Sequence, residues 1–331
     1  MGTAGPGEAV GREAESADGS GPRVLVASEL ELLLPEDPIP GYEVVWISAS
    51  EPTPSGDYVA IVPLLSRSIG EKELSGLPKL RVIAQCAVGY DNIDLTAAAG
   101  RGITVTNTPD VLTESTADLT WALILAVARR LKEGQELLLR REWAGWSPTQ
   151  LLGLELDGSV LGIVGAGRIG QAVGRRGVGF GMRILYSDPE ARPSFEQECK
   201  ASRLELSHLL SESDVVTVHM PSNSETRGLI DSRRFGEMKP GALFINTARG
   251  DLVSESALLE ALDSGSLGGA GLDVFARAPE VPSALVEHPR VVALPHIGSA
   301  TTRTRQAMAR LAVENGREVL AGRSPVTPVL G

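Results

Sequence analysis

An arginine and a histidine each stand just beyond a short apolar run. Ala242-Leu243-Phe244-Ile245-Asn246 leads into Thr247-Ala248-Arg249-Gly250, and Val291-Val292-Ala293-Leu294 into Pro295-His296-Ile297-Gly298-Ser299. A guanidinium can grip a carboxylate with two hydrogen bonds and polarise a carbonyl, and an imidazole titrates near neutrality and can pass one proton. A third run, Val160-Leu161-Gly162-Ile163-Val164, stops at Gly165-Ala166-Gly167-Arg168-Ile169-Gly170, a G-x-G-x-x-G loop that opens a helix-forming stretch. In that pattern Gly165 allows the tight turn, Gly167 lets the backbone approach a pyrophosphate, and Gly170 lets the helix pack closely on the strand. The helix N-terminus then faces the phosphates. The run Arg183-Ile184-Leu185-Tyr186-Ser187 ends in Asp188, close to the spacing of about twenty residues expected for a carboxylate on the adenosine ribose hydroxyls. An acid there favours NAD over NADP, although Arg192 could instead meet a 2′-phosphate. Hydride from a nicotinamide and a proton from His296 would together reduce a 2-keto acid to a 2-hydroxy acid. Plainer roles compete: Arg249 as a surface ion-pair residue, His296 as a cap. His219 also follows a strand-like run, and His208 and His288 read as surface or helix residues.

Such groups need a scaffold that ends several strands on one side. The 331 residues, 42% apolar and 22% charged, suit two ordinary globular domains. A net charge of −11 argues against nucleic acid or an anionic membrane surface as partner. Two cysteines, Cys86 and Cys199, suggest neither a disulfide framework nor a metal site and fit the reducing cytoplasm. The longest apolar stretch, Trp121 to Ala128, is too short to span a bilayer. Residues 1–22 are rich in Gly, Ala, Glu and Ser, carry no secretory or mitochondrial signal, and read as a disordered tail.

Strand-like runs follow at 23–27, 43–47, 58–62, 81–85 and 103–106, and again at 160–164, 183–187, 214–219, 242–246, 269–274 and 291–294. They alternate with helical stretches, which predicts an α/β chain with parallel sheets. The second set, with the glycine loop after its first strand, describes a six-stranded Rossmann sheet; the first 110 residues form a different domain. Ser115 to Lys132 reads as one long apolar helix ended by Gly134 and joining the domains. Thr301 to Gly322 reads as an amphipathic helix with Ala307, Leu311, Val313 and Leu320 facing a core. Trp143 and Trp146 mark either a dimer arm or a covered loop.

The set Val88-Gly89-Tyr90-Asp91-Asn92-Ile93-Asp94, Asn107-Thr108-Pro109-Asp110, the Gly165 loop, Asn246-Thr247-Ala248-Arg249-Gly250, Gly271-Leu272-Asp273-Val274-Phe275 and Pro295-His296-Ile297-Gly298-Ser299-Ala300-Thr301 resembles the D-isomer-specific 2-hydroxyacid dehydrogenases, within them the glyoxylate/hydroxypyruvate reductase branch. The resemblance covers residues 23–331. It implies two Rossmann-like or flavodoxin-like doubly wound domains with a cleft between them: a substrate domain of residues 23–110 plus 300–331, and an NAD domain of residues 111–299. By motif position it implies that Val88 and Gly89 offer backbone N–H groups to the substrate carboxylate and that Arg249 and His296 do the chemistry. Thr116, Gly165, Gly167, Arg168, Ile169, Gly170, Asp188, Pro221, Thr226, Thr247, Asp273 and Gly298 fall where this family holds the dinucleotide. Asp273 would bind the nicotinamide carboxamide, no metal is implied, and homodimers are usual.

One departure stands out. The family pattern runs Asp-Val-Phe, two variable residues, then Glu-Pro, with the glutamate hydrogen-bonded to the catalytic histidine. Here the segment reads Asp273-Val274-Phe275-Ala276-Arg277-Ala278-Pro279. Without that carboxylate the imidazolium loses a charge partner, so a lower pKa and a looser ring are expected for His296. Glu280 could substitute, but Pro279 stiffens the segment. The alternative implied by the loss is a binding protein that uses NAD occupancy to set partner binding, like the family's corepressor branch.

Overall fold

The computed structural model describes residues 21–329 and divides into two compact units. One is built from the residues up to Asn107 together with those from Ala309 on, the other from Thr108–Met308. The expected disordered tail lies outside the described residues except for Gly21 and Pro22.

In the first unit β1 (Arg23–Ala27), β2 (Glu43–Ile47), β3 (Tyr58–Val62), β4 (Val82–Ala84) and β5 (Thr104–Thr106) are all parallel, in the order β2-β1-β3-β4-β5. This is the flavodoxin-like order of a doubly wound sheet. A parallel sheet is covered on both faces, so its strands read as near-continuous apolar runs; Val24, Leu25, Val26, Ile61, Val62 and Ile83 are all buried. The helix Thr302–Leu320 gives its second half to this unit. Val313 and Leu320 are buried as expected, but Leu311 and Ala307 are only partly covered. The covered stripe is instead the small-residue one, Ala309, Ala312 and Gly316, where short side chains let a helix lie close to its neighbours.

In the second unit β6 (Val160–Val164), β7 (Arg183–Ser187), β8 (Ser202–Arg203), β9 (Val215–Val218), β10 (Ala242–Asn246), β11 (Leu267–Leu272) and β12 (Val291–Ala293) form a parallel sheet in the order β12-β11-β10-β9-β6-β7-β8. Counted from β6, this is the Rossmann order extended by one strand. The sheet therefore has seven strands, not six: β8 escapes the sequence pattern because it is two exposed polar residues with no apolar period. β11 also begins two residues earlier than the apolar pattern suggests. Its Gly269 and Gly271 leave room for Val127 and Leu123 of a covering helix, since a Cβ on either glycine would lie 2.7 or 3.0 Å from those side chains.

That covering helix is Thr113–Ala128, and it stops well before Gly134. The N–H of Leu154 takes the Ala128 carbonyl at 2.9 Å, a bond that a continuing helix would have kept for itself. Arg130 then turns left-handed (φ 55°), and a separate helix, Leu131–Leu139, starts with Gly134 inside it. Trp121 anchors the first of these helices: its ring stacks on Phe180 at 4.3 Å and its Nε1 donates to the Val173 carbonyl at 3.0 Å.

Candidate active site

The sheet order reverses direction between β6 and β9, and ligands of open α/β sheets bind beyond the carboxyl ends of strands at such a point. The glycine loop leaves β6 there, and the first residue after β9, His219, donates its backbone N–H to the Val164 carbonyl at 2.8 Å. The three glycines do different work. Gly165 is left-handed (φ 94°), and a Cβ on it would meet the His219–Met220 backbone at 2.8 Å. Gly170 is the close contact, where a Cβ would lie 2.2 Å from the Gly165 carbonyl oxygen. Gly167 faces open space, the condition for a phosphate to approach the main chain. It also caps the helix Arg168–Gly179, whose first turn includes Ile169. These residues fit a dinucleotide pyrophosphate.

Asp188 is tied to this loop. Its Oδ2 accepts the Ala166 N–H at 2.9 Å, while Oδ1 accepts the Glu190 N–H at 2.9 Å and Arg192 Nη2 at 3.0 Å. Arg203 donates to the carbonyls of Asp188 and Pro189 at 2.9 and 2.7 Å. The acid is thus fixed in place, with its carboxylate paired to Arg192 and its backbone held by Arg203. Arg168 pairs with Asp110 at 2.5 Å.

Beyond β10 the turn that carries Arg249 is locked by Asn246, the last residue of that strand and the first of the quoted motif. Asn246 is 1% exposed; its Oδ1 accepts the Ala248 N–H at 3.0 Å and its Nδ2 donates to the Arg249 carbonyl at 2.8 Å. Thr247 shares a hydroxyl hydrogen bond of 2.9 Å with Thr120, and Arg249 Nη1 donates to the Ala248 carbonyl at 2.8 Å.

Asp273 organises the histidine segment. Its carbonyl accepts the His296 N–H at 2.9 Å, and its two carboxylate oxygens accept the N–H groups of Ile297 and Gly298, each at 2.8 Å. Three successive donors therefore converge on one residue, and His296 itself is left-handed (φ 55°), a conformation such bonds must hold. Thr116 joins this cluster, because a Cβ on Gly298 would lie 3.2 Å from Asp273 Oδ2 and 3.4 Å from Thr116 Cγ2. Burial pushes the Asp273 carboxyl up to about 6, against the pull of those N–H groups and of Arg305. Because that value lies above the ordinary 3.8, its contribution to stability is full at pH below the ordinary value and is lost as pH rises through about 6.

The remaining positions are more peripheral. Thr226 closes its own turn, with its Oγ1 donating to the Pro221 carbonyl at 2.8 Å and accepting the Asn223 N–H at 2.9 Å. Val88 and Gly89 lie half-buried after β4 in the first unit. Burial pushes His219 down to about 3, so it is neutral at ordinary pH, and its Nε2 lies 2.9 Å from Thr217 Oγ1.

Ala278 is exposed, in a turn where Glu280 N–H donates to the Arg277 carbonyl at 2.9 Å. Among the described residues the Glu280 carboxylate makes no ion pair or hydrogen bond, so it does not take over the absent glutamate's place. The carboxylate that holds this loop is Glu255, which accepts the Ala276 N–H at 2.8 Å. Gly250 presses the Arg249 turn against the same loop: a Cβ there would lie 1.9 Å from the Phe275 carbonyl carbon. Backbone cannot yield as a flexible side chain does. Gly250→Ala is therefore expected to cost about 1–3 kcal/mol and to lower the melting temperature by several degrees in a circular-dichroism melt; an unchanged melt would show that the loop yields freely.

Comparison with known proteins points to one family. The family model described as "D-isomer specific 2-hydroxyacid dehydrogenase, NAD binding domain" matches residues 121–298. The glyoxylate reductase of Thermococcus litoralis is 47% identical over 260 residues, 77% of this chain and 78% of that one. Among solved structures, the TT0316 protein of Thermus thermophilus is 44% identical with a TM-score of 0.84, covering 93% of this chain and 100% of that one. The NADPH-dependent glyoxylate/hydroxypyruvate reductase of Sinorhizobium meliloti, in complex with NADP and malonate, is 34% identical with a TM-score of 0.84, covering 94% of this chain and 97% of that one.

Proposed function

Because the chain belongs to the D-isomer specific 2-hydroxyacid dehydrogenases, we propose that it reduces a small 2-keto acid of the glyoxylate or hydroxypyruvate type to the D-2-hydroxy acid, with NADH as the preferred donor. The observation that carries this reading is the pairing of a phosphate-ready glycine loop with an Asn246-locked arginine turn and an Asp273-held histidine segment in one unit. When bound, the nicotinamide supplies the hydride. In this reading the guanidinium of Arg249 holds the keto acid and polarises its carbonyl, His296 delivers a proton to the oxygen that becomes the hydroxyl, and the backbone at Val88 and Gly89 receives the substrate carboxylate. Asp273 keeps lone pairs to receive a carboxamide beside its two N–H bonds. The named relatives support the substrate class. The test is loss of NADH absorbance on adding glyoxylate, hydroxypyruvate or pyruvate; no turnover with any of them overturns the proposal.

The donor preference rests on Asp188. Its carboxylate suits ribose hydroxyls, whereas a 2′-phosphate would have to draw Arg192 away from both Asp188 and Glu190. Wild-type protein is expected to favour NADH over NADPH in kcat/KM. Asp188→Ser should narrow that preference by about tenfold or more, through loss of a charged hydrogen-bond partner worth about 1.5–3 kcal/mol. Parallel assays with the two donors check this, and an unchanged ratio would assign discrimination elsewhere.

Ala278 favours a second reading, a dinucleotide-binding protein whose occupancy sets partner binding. Tight NADH binding without turnover over a panel of 2-keto acids would support it. In either case we place the protein in the cytoplasm as a homodimer. The helix Leu131–Leu139 buries no residue, and Leu138, Leu139, Trp143 and Trp146 beside it stand 54–83% exposed, an apolar surface suited to a second copy.

A further inference from the structure

A groove of about 310 Å³ runs beside the second half of the helix Thr302–Leu320. Arg310, Val313 and Arg317 of the helix line one side, Leu34, Pro35 and Pro38 the other, and both sides belong to the first unit. The helix positions recur at intervals of three and four, so they share one face. Val313 and Pro38 are buried, Leu34 is half-buried, and Leu32, two residues before that wall, is 95% exposed. Arg310 and Arg317 are exposed, and neither guanidinium has an ion-pair or hydrogen-bond partner among the described residues. Glu318, the neighbour of Arg317, gives both carboxylate oxygens to Arg323 at 2.5 and 2.7 Å. The rim therefore sets two guanidinium groups against one uncommitted carboxylate, that of Glu314.

The described chain begins close to this groove. Glu43 N–H donates to the Pro22 carbonyl at 3.1 Å, and a Cβ on Gly21 would lie 3.8 Å from the carbonyl oxygen of Gly41. Gly41 is three residues from Pro38 of the groove wall, a span of at most about 11 Å. The preceding residues 1–20 carry Glu8, Glu13, Glu15 and Asp18 against Arg12 alone. Their charge is thus opposite to the surplus on the rim. Glu15 and Asp18 lie about 10 Å apart in an extended chain, and the two helical turns from Arg310 to Arg317 rise about 10.5 Å.

We propose that this groove is the docking site of the chain's own acidic segment, with Glu15 and Asp18 pairing with Arg310 and Arg317 over Val313 and Pro38. A tethered segment meets its groove at an effective concentration in the millimolar range, so exposed ion pairs that are weak singly hold it for most of the time. Salt screens such pairs and releases it. None of these residues belongs to the glycine loop or to the Arg249 and His296 segments, so the inference stands apart from the keto-acid reading.

Arg12 offers the test, being the one basic residue of the segment. The full-length chain is treated with trypsin under native conditions at low salt, and release of residues 1–12 is followed by mass spectrometry. A synthetic peptide of residues 1–20, with the sequence of each variant, sets the undocked rate. Cleavage follows the undocked population, so the wild-type chain is expected to be cut about three- to tenfold more slowly than its peptide. Arg310→Glu with Arg317→Glu, and separately Glu15→Ser with Asp18→Ser, should each raise the rate to that of the peptide. Combining the two pairs should bring no further gain, the sign that they act on one contact. Added salt of about 0.5 M should likewise abolish the protection of the wild type. Glu15 and Asp18 lie outside the described residues, so their variant decides the matter should the groove variant fail to fold. A wild-type chain cut as fast as its peptide, or protection that survives either pair of substitutions, overturns the proposal. Protection that grows with protein concentration overturns it too, because it would place the segment in the groove of another copy.

Discussion

Ala278→Glu is expected to reduce glyoxylate about ten- to a thousandfold faster than the wild-type chain. The range follows from placing at position 278 the carboxylate that the family motif carries there, worth about 1.4–4 kcal/mol in the transition state, where each 1.4 kcal/mol is tenfold in rate. The site can take the larger side chain, since Ala278 is exposed and the loop is already held by Glu255 on one side and packed against Gly250 on the other. Of the carboxylates nearby in sequence or contact with this loop, Glu255 accepts the Ala276 N–H, and that of Glu280 makes no hydrogen bond or ion pair among the described residues. The pH dependence has a definite sign. Reduction consumes a proton held on His296, so the rate falls as pH rises and the ring deprotonates. A carboxylate beside the ring stabilises its charged form, so the falling limb moves to higher pH in Ala278→Glu. Ala278→Gln, which restores bulk without charge, should leave that limb in place, and in a His296→Ala background the added glutamate should bring no gain. A rate and profile equal to wild type in Ala278→Glu would show that residue 278 does not face the imidazole.

That the glycine loop could be read from the chain, while the grip of the Asn246 side chain on its turn could not, is a matter of range. A G-x-G-x-x-G loop between an apolar run and a helix is a local signal, and each of its glycines is demanded by a contact within the same βαβ unit. Long apolar runs likewise declare buried parallel strands, so most of both sheets was legible and only β8, two polar residues paired at an edge, was not. Helix ends were less legible. Thr113–Ala128 stops because Leu154, distant in sequence, takes its last carbonyl, and no local pattern around Gly134 encodes that. The amide of Asn246 is of the same kind: an asparagine at the end of a strand has no signature of which carbonyl it will capture. Asp273 was legible through the family motif, but its grip on three successive N–H groups of the histidine segment required coordinates.

The grip of Asn246 also determines what loss of the guanidinium should do. The arginine backbone is extended (φ −143°, ψ 141°) at the head of the short 3-10 turn Gly250–Leu252, and it is pinned through its carbonyl by a side chain that belongs to β10. That anchorage runs through the backbone, and the side chain adds to the turn a hydrogen bond from Nη1 to the Ala248 carbonyl, so Arg249→Lys should fold, melt within a few degrees of wild type and bind NADH unchanged. Its kcat/KM for glyoxylate, in contrast, is expected to fall by about a hundred- to ten-thousandfold. An ammonium keeps the charge but loses the planar pair of donors that can hold a carboxylate and still face a carbonyl, and interactions that tighten as the carbonyl oxygen gains charge contribute to kcat as well as KM. Asn246→Ala provides the complementary case: it leaves the guanidinium intact but frees the turn, so it should lose less activity than Arg249→Lys while lowering the melting temperature. Steady-state kinetics together with circular-dichroism melts separate the two. An Arg249→Lys enzyme within about threefold of wild type would remove the arginine from the chemistry and leave only its ion-pair role.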